Sequence, residues 1–143
     1  MRAYLDTSGA VKLLLNEPES TALESFAKQA GTQLVSTYLL ETELRRITTR
    51  RGLAQADATL LLSNITLYSL SDADFAAAGL LPGETLRSLD ALHVQGALAL
   101  MADAVVTYDT RMADVCQQLG IPVLQPGLAG PAASTVPLGQ SGS

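Results

Sequence analysis

Ala104-Val105-Val106-Thr107-Tyr108-Asp109 is the stretch that decides the fold: an apolar, β-branched run, too short for a helix, stops at a carboxylate. Met112, Val115, Cys116 and Leu119 then recur at helical spacing until Gly120. Asp109 stands where a helix N-cap belongs, and Gly120 where left-handed backbone closes a helix. The same order opens the chain. Arg2-Ala3-Tyr4-Leu5 reads as a strand that ends at Asp6-Thr7-Ser8, and Val11, Leu14 and Leu15 begin a helix.

Working outward, Gln33-Leu34-Val35-Ser36, Ile65-Thr66-Leu67-Tyr68 and Ile121-Pro122-Val123-Leu124 supply three more strands. Helices are expected after Pro18, with Leu23, Phe26 and Ala27 on one face, and through Leu40, Leu44, Ile47 and Arg51, with Glu43 on the flank. Others are expected over 55–63 and 72–79, and after Ser88, the expected N-cap of a long helix with Asp90 in its first turn. Strands alternating with helices through brief connections predict an α/β fold with a central parallel sheet covered on both faces, because parallel neighbours need crossover helices. In such folds ligands meet the carboxyl ends of the strands. Residues 1–126 form one expected domain, and 127–143, with no periodic apolar face, an expected flexible tail.

Composition narrows the function. Of 143 residues 48% are hydrophobic, yet no apolar run approaches the ~18 residues of a membrane span. No basic-then-apolar leader opens the sequence, so a cytoplasmic location is expected. Cys116 is the only cysteine and reads as a buried small hydrophobe. The net charge of −5 argues against long-range attraction to nucleic acid, but Arg45, Arg46, Arg50 and Arg51 cluster. That run has two readings, the solvated side of a helix or a phosphate contact. A Gly-rich phosphate loop, a Ser nucleophile elbow and the second aspartate of a dehalogenase-type phosphatase are all missing, and no lysine follows Lys28 as a receiver-type signalling module requires.

Four carboxylates, Asp6, Glu43, Asp90 and Asp109, stand where apolar segments stop or helices begin, Glu43 on a helix flank. Two carboxylates 4 Å apart repel by roughly 4 kcal/mol at an effective dielectric near 20, so four sharing one cleft call for a cation. Oxygen ligands without a His pair or Cys cluster favour Mg²⁺, or Mn²⁺, over Zn²⁺. Asp6 and Asp90 are the expected direct ligands, with Glu43 and Asp109 completing the shell or orienting an attacking water.

Tyr-Leu-Asp-Thr-Ser (4–8), Glu-Leu-Arg-Arg (43–46), Leu-Arg-Ser-Leu-Asp-Ala-Leu-His (86–93), Val-Val-Thr-Tyr-Asp-Thr-Arg-Met (105–112) and Leu-Gly-Ile-Pro-Val (119–123) resemble, in this order, the PIN domain family and its VapC-type ribonuclease toxins. The resemblance covers residues 2–126. It implies a three-layer α/β/α sandwich and Mg²⁺-dependent endonucleolytic hydrolysis of RNA at Asp6, Glu43, Asp90 and Asp109. It also implies a homodimer, and neutralisation by a cognate antitoxin in a heterotetramer or larger assembly. The competing class is a PIN-like module that binds RNA or antitoxin with negligible turnover.

Neighbouring residues carry two readings each. Thr7, Ser8 and Thr107 bear hydroxyls that either steady the acids or serve capping and packing. Arg87 and Arg111 read first as ion-pair partners of nearby acids and second as phosphate contacts. His93, the only histidine, reads first as a packed or hydrogen-bonded structural residue and second as a general base. Glu41 rivals Glu43, but two residues turn it about 200° around the helix. Asp114 stays outside the expected set.

Overall fold

Five parallel strands run in the order β3-β2-β1-β4-β5, with β1 (Arg2–Leu5) at the centre. Its neighbours are β2 (Gln33–Thr37) and β4 (Ala104–Val106), and the edges are β3 (Thr66–Tyr68) and β5 (Val123–Leu124). The computed structural model describes residues 1–128, so of the expected tail only Gly127 and Leu128 are described, and 129–143 lie outside the described residues. Among the described residues seven helices connect the strands: α1 (Thr7–Leu14), α2 (Ser20–Ala27), α3 (Tyr38–Arg50), α4 (Gln55–Leu62), α5 (Asp72–Ala78), α6 (Ser88–Ala99) and α7 (Thr110–Gln118).

The pleat divides the core into two. Successive side chains of a strand point to opposite faces, so Ala3, Leu5, Leu34 and Val106 join Leu23, Leu40 and Leu44 on one side of the sheet. Tyr4, Val35 and Val105 join Val94, Met112 and Cys116 on the other. The α1–α4 layer covers the first face and α6 and α7 the second, which makes the expected α/β/α sandwich. Each fully buried Leu or Val contributes about 1.5–3 kcal/mol of transfer free energy, so the sheet is held from both sides.

Chain order reverses between β1 and β4: the first crossovers build outward through β2 and β3, and the later ones through β4 and β5. At such a switch point the loops leaving adjacent strands diverge to opposite faces and open a crevice at the carboxyl edge. Asp6 follows β1 and Thr107 follows β4 at that edge. Gly96 sets how closely α6 approaches. A Cβ there would lie 2.8 Å from Thr37 Cγ2 and 2.9 Å from Tyr4 Oη, so only a residue without a side chain lets α6 rest on β1 and β2 at this distance.

Three expectations shift. The N-cap of α6 is Arg87, without a side-chain capping bond, and Ser88 is the first helical residue. The buried stripe of α3 is Leu40, Leu44 and Thr48, with Ile47 only half-buried and Arg51 beyond the helix end. Strand β5 begins at Val123 because Pro122 has no N–H to pair, although its carbonyl accepts from Val105 N at 2.9 Å. No helix among the described residues is long and apolar enough to cross a membrane.

Candidate functional site

Asp6 is the innermost of the four acids, 2% exposed. It caps α1 by accepting from Gly9 N at 2.9 Å, which is why the helix begins at Thr7. Ser8 Oγ donates to both of its oxygens, at 2.7 and 3.0 Å, and Thr107 Oγ1 donates to Oδ2 at 2.6 Å. Ser8 Oγ in turn accepts from Tyr108 N at 2.8 Å, so the β1 and β4 loops are stitched through the carboxylate. Burial pushes the Asp6 carboxyl above its ordinary range, and the donors from Thr107, Gly9 and Ser8 only partly offset that.

Glu43, on α3, is fixed differently. Its Oε1 accepts from Thr7 Oγ1 at 2.6 Å and lies 2.6 Å from His93 Nε2. Burial opposes its ionisation, yet the bonds from His93 and Thr7 prevail and hold the carboxyl below the usual range. His93, 1% exposed, turns its Nδ1 to Tyr4 Oη at 2.8 Å, and that hydroxyl meets Thr37 Oγ1 at 3.2 Å.

Asp90 and Asp109 stand further out, on α6 and at the N-cap of α7. Asp109 Oδ1 accepts from the backbone N–H groups of Arg111 (2.9 Å) and Met112 (3.1 Å), the capping expected from sequence. Asp90 occupies the first turn of α6, where the helix dipole favours an anion. Its carboxyl is nonetheless raised above the ordinary value, by partial burial and then by the charges of Asp109 and Glu43, with His93 and Arg87 opposing. Glu43, Asp90 and Asp109 line one cavity of about 660 Å³ with Arg87, Tyr108 and Arg111.

Three of the four expected acids therefore share a cavity. Asp6 does not line it, but adjoins it through Thr7, which bonds Glu43, and Ser8, which bonds Tyr108. Among the described residues no three of Asp, Glu, His and Cys stand close enough together to enclose an ion. The donor set still suits a hard divalent cation: all oxygen, crowded with like charge, and with spare acceptor capacity on Asp90. Glu41 is tied to Arg45 at 3.1 Å and lies outside the cavity wall, as does exposed Asp114.

The arginines part company. Arg45 also reaches Gln55 Oε1 and Thr59 Oγ1 at 3.2 Å, so it braces α3 against α4. Arg87 and Arg111 make no ion pair among the described residues, contrary to the first reading of them, because their exposed side chains extend from the helix starts into the open mouth of the cavity. Of the two readings of Thr107, the structure shows the first: its hydroxyl steadies Asp6. Tyr4 was missed as a polar partner, since nothing local signals a bond to a residue 89 positions away.

A three-layer α/β/α domain with acids gathered at the switch point of a 3-2-1-4-5 parallel sheet defines the class, and the chain belongs to the PIN domain family, whose model matches residues 3–118. It is 34% identical to Ribonuclease VapC47 of Mycobacterium tuberculosis over 131 residues, spanning 87% of this chain and 96% of that one. Against Ribonuclease VapC46 of the same organism the identity is 37% over 134 residues, 86% of this chain and 96% of the relative. The fold is similar to that of VapBC2 from Rickettsia felis bound to a DNA fragment from their promoter, with TM-score 0.65 and 19% identity over 87% of this chain and 98% of that one. It is also similar to the Mycobacterium tuberculosis sarcin-ricin loop cleaving toxin VapC20, with TM-score 0.65 and 13% identity over 78% and 93%.

Proposed function

We propose that this chain is a divalent-metal-dependent endoribonuclease, the toxin of a toxin–antitoxin pair. The observation that carries the reading is the crowding of Glu43, Asp90 and Asp109 around one cavity at the carboxyl edge of the sheet, with Arg87 and Arg111, which make no ion pair among the described residues, at its mouth. The relatives named as ribonucleases, matched over nearly their whole length, support it.

Asp90, with Asp6, Glu43 and Asp109, would hold Mg²⁺ or Mn²⁺, which when bound supplies charge neutralisation at a phosphodiester and a nucleophile at neutral pH. The protein's own part is orientation and charge. Arg87 and Arg111 receive the RNA backbone, since a guanidinium matches phosphate oxygens in a planar fork. Asp109 is held by two backbone donors and Glu43 by His93 and Thr7, and each lines the cavity with one carboxylate oxygen left unbonded among the described residues. Tyr108 is fixed as one wall: its hydroxyl donates to Pro126 O at 2.7 Å, and Lys12 Nζ lies 5.0 Å from its ring centroid. Residues 1–126 act as the nuclease domain, in the cytoplasm, as a homodimer restrained by a cognate antitoxin in a heterotetramer or larger assembly.

Incubating purified protein with structured RNA tests this. Cleavage with Mg²⁺ or Mn²⁺ that EDTA stops and added metal restores is expected, and cleavage indifferent to EDTA would reject the metal reading. A second reading, a binding module with negligible turnover, draws on the lack of a closed three-acid cage among the described residues. RNA retained without cleavage in either condition would select it.

A further inference from the structure

The only histidine of the chain is almost completely buried, and each of its ring nitrogens faces a different partner. Nδ1 meets Tyr4 Oη at 2.8 Å, and Nε2 meets Glu43 Oε1 at 2.6 Å, with Thr7 Oγ1 at 3.3 Å. The hydrogen-bond roles close in one direction. A carboxylate oxygen only accepts, so Nε2 carries a proton and donates to Glu43, and in the neutral imidazole Nδ1 is then the acceptor of the tyrosine hydroxyl. Tyr4 Oη then accepts from Thr37 Oγ1. The column runs Thr37, Tyr4, His93, Glu43 from the sheet to the cavity wall, and Gly96 lets α6 settle close enough for it to form.

We infer that His93 is a positioning residue: locked by Tyr4, it ties down Oε1 of Glu43 together with Thr7 and so presents the other oxygen, Oε2, to the cavity. Among the described residues Oε1 takes both hydrogen bonds of this carboxylate and Oε2 takes none. A general base is ruled out by the same geometry, because both ring nitrogens are occupied and the ring is sealed from the cavity by its own burial. Simple core packing does not account for it either. A leucine would fill the space under α6 and would leave Glu43 with Thr7 as its one donor. Partners that orient a metal-binding side chain in this way are worth about 10–100-fold in metal affinity.

The inference rests on the metal-dependent reading above, and its test separates the two. Because there is one histidine, the ¹⁵N ring shifts of tag-free protein report its tautomer directly. The free Mn²⁺ signal in electron paramagnetic resonance gives the dissociation constant of the wild type, His93→Leu, His93→Gln and Thr7→Val. Expected are an Nε2–H tautomer, Mn²⁺ binding weakened about 10–100-fold in His93→Leu, and substantial recovery in His93→Gln, whose amide again offers a donor. RNA turnover should fall through kcat rather than KM. An Nδ1–H tautomer, or a His93→Leu protein that binds Mn²⁺ within twofold of wild type, overturns the positioning role while leaving the metal reading intact. Wild-type protein that binds no Mn²⁺ overturns both. If His93→Leu does not fold, Thr7→Val decides: it removes the other donor to Oε1 and should weaken Mn²⁺ binding, and unchanged affinity overturns the inference.

Discussion

The inner and outer acids of this protein are held by different physics. Asp6 and Glu43 are clasped by hydroxyls, a backbone amide and an imidazole, and neither has freedom to turn. Asp90 and Asp109 sit at helix starts beside open solvent, where Asp109 has two backbone donors and Asp90 is crowded by its neighbours' charge. The inner acids are positioned by the protein's own donors, and on the proposed reading the crowding of the outer pair is what a bound cation would relieve. Substitutions should separate the two kinds: inner ones act on geometry, and outer ones on charge.

The largest expected effect is at Asp6. Asp6→Asn places an amide NH₂ against donors that all need an acceptor, from Ser8, Gly9 and Thr107. RNA cleavage should fall by about 10³-fold or more, the scale of removing one member of a catalytic unit. A metal-supplemented cleavage assay beside circular dichroism checks it, and full activity in a folded Asp6→Asn protein would remove Asp6 from the site. Next comes Thr107→Val, which keeps the shape and deletes the 2.6 Å donor to Asp6. A buried acceptor left short of a partner costs about 1–3 kcal/mol, so urea unfolding should show a loss of that size together with weaker Mn²⁺ binding. An unchanged midpoint would show that Ser8 and Gly9 suffice for the inner acid.

Smaller effects belong to the rim. Arg87→Ala and Arg111→Ala remove cations that no acid among the described residues claims. Each should raise KM for RNA several-fold with little change in kcat, and should reduce the salt dependence of binding by about one phosphate contact. A fall in kcat at constant KM would instead place these arginines at the reacting phosphate.

The contrast between the pairs also explains what the sequence made legible. Strand, acid and helix follow one another directly at Leu5-Asp6-Thr7 and at Val106 to Thr110, so local periodicity was enough to find the parallel sheet and the edge where Asp6 and Asp109 stand. Glu43 and Asp90 were legible as members of a set, through the ordered motifs. Their surroundings were not. His93 meets Glu43 across 50 residues and Tyr4 across 89, and such contacts depend on how closely α6 packs on the sheet, which spacing along one helix does not encode. Thr107 illustrates the same limit: strand propensity describes its backbone, whereas its hydroxyl is claimed by an acid 101 positions earlier.

The smallest effect tests the outer pair most directly. Asp90 has a folded-state carboxyl pKa above its ordinary 3.8, through burial and the charges of Asp109 and Glu43. A raised carboxylate pKa means that the folded state binds the proton more tightly than the unfolded chain does. Its contribution to stability is therefore fully present below the unfolded pKa and is lost as pH rises through the folded one. Metal-free Asp90→Asn, which carries no charge there at any pH, should match wild type in acid and exceed it at neutral pH, by up to about 0.5 kcal/mol, the scale of partly exposed substitutions. Saturating Mn²⁺ should reverse the order, because binding to the folded state alone adds stability as RT ln(1 + [L]/Kd) and the wild type binds more tightly. Thermal melts of both proteins across pH, with EDTA and with Mn²⁺, read the crossing. Parallel pH profiles would mean that neither burial nor the charges of Asp109 and Glu43 raise Asp90, and the outer acid would then be settled by local contacts as Glu43 is.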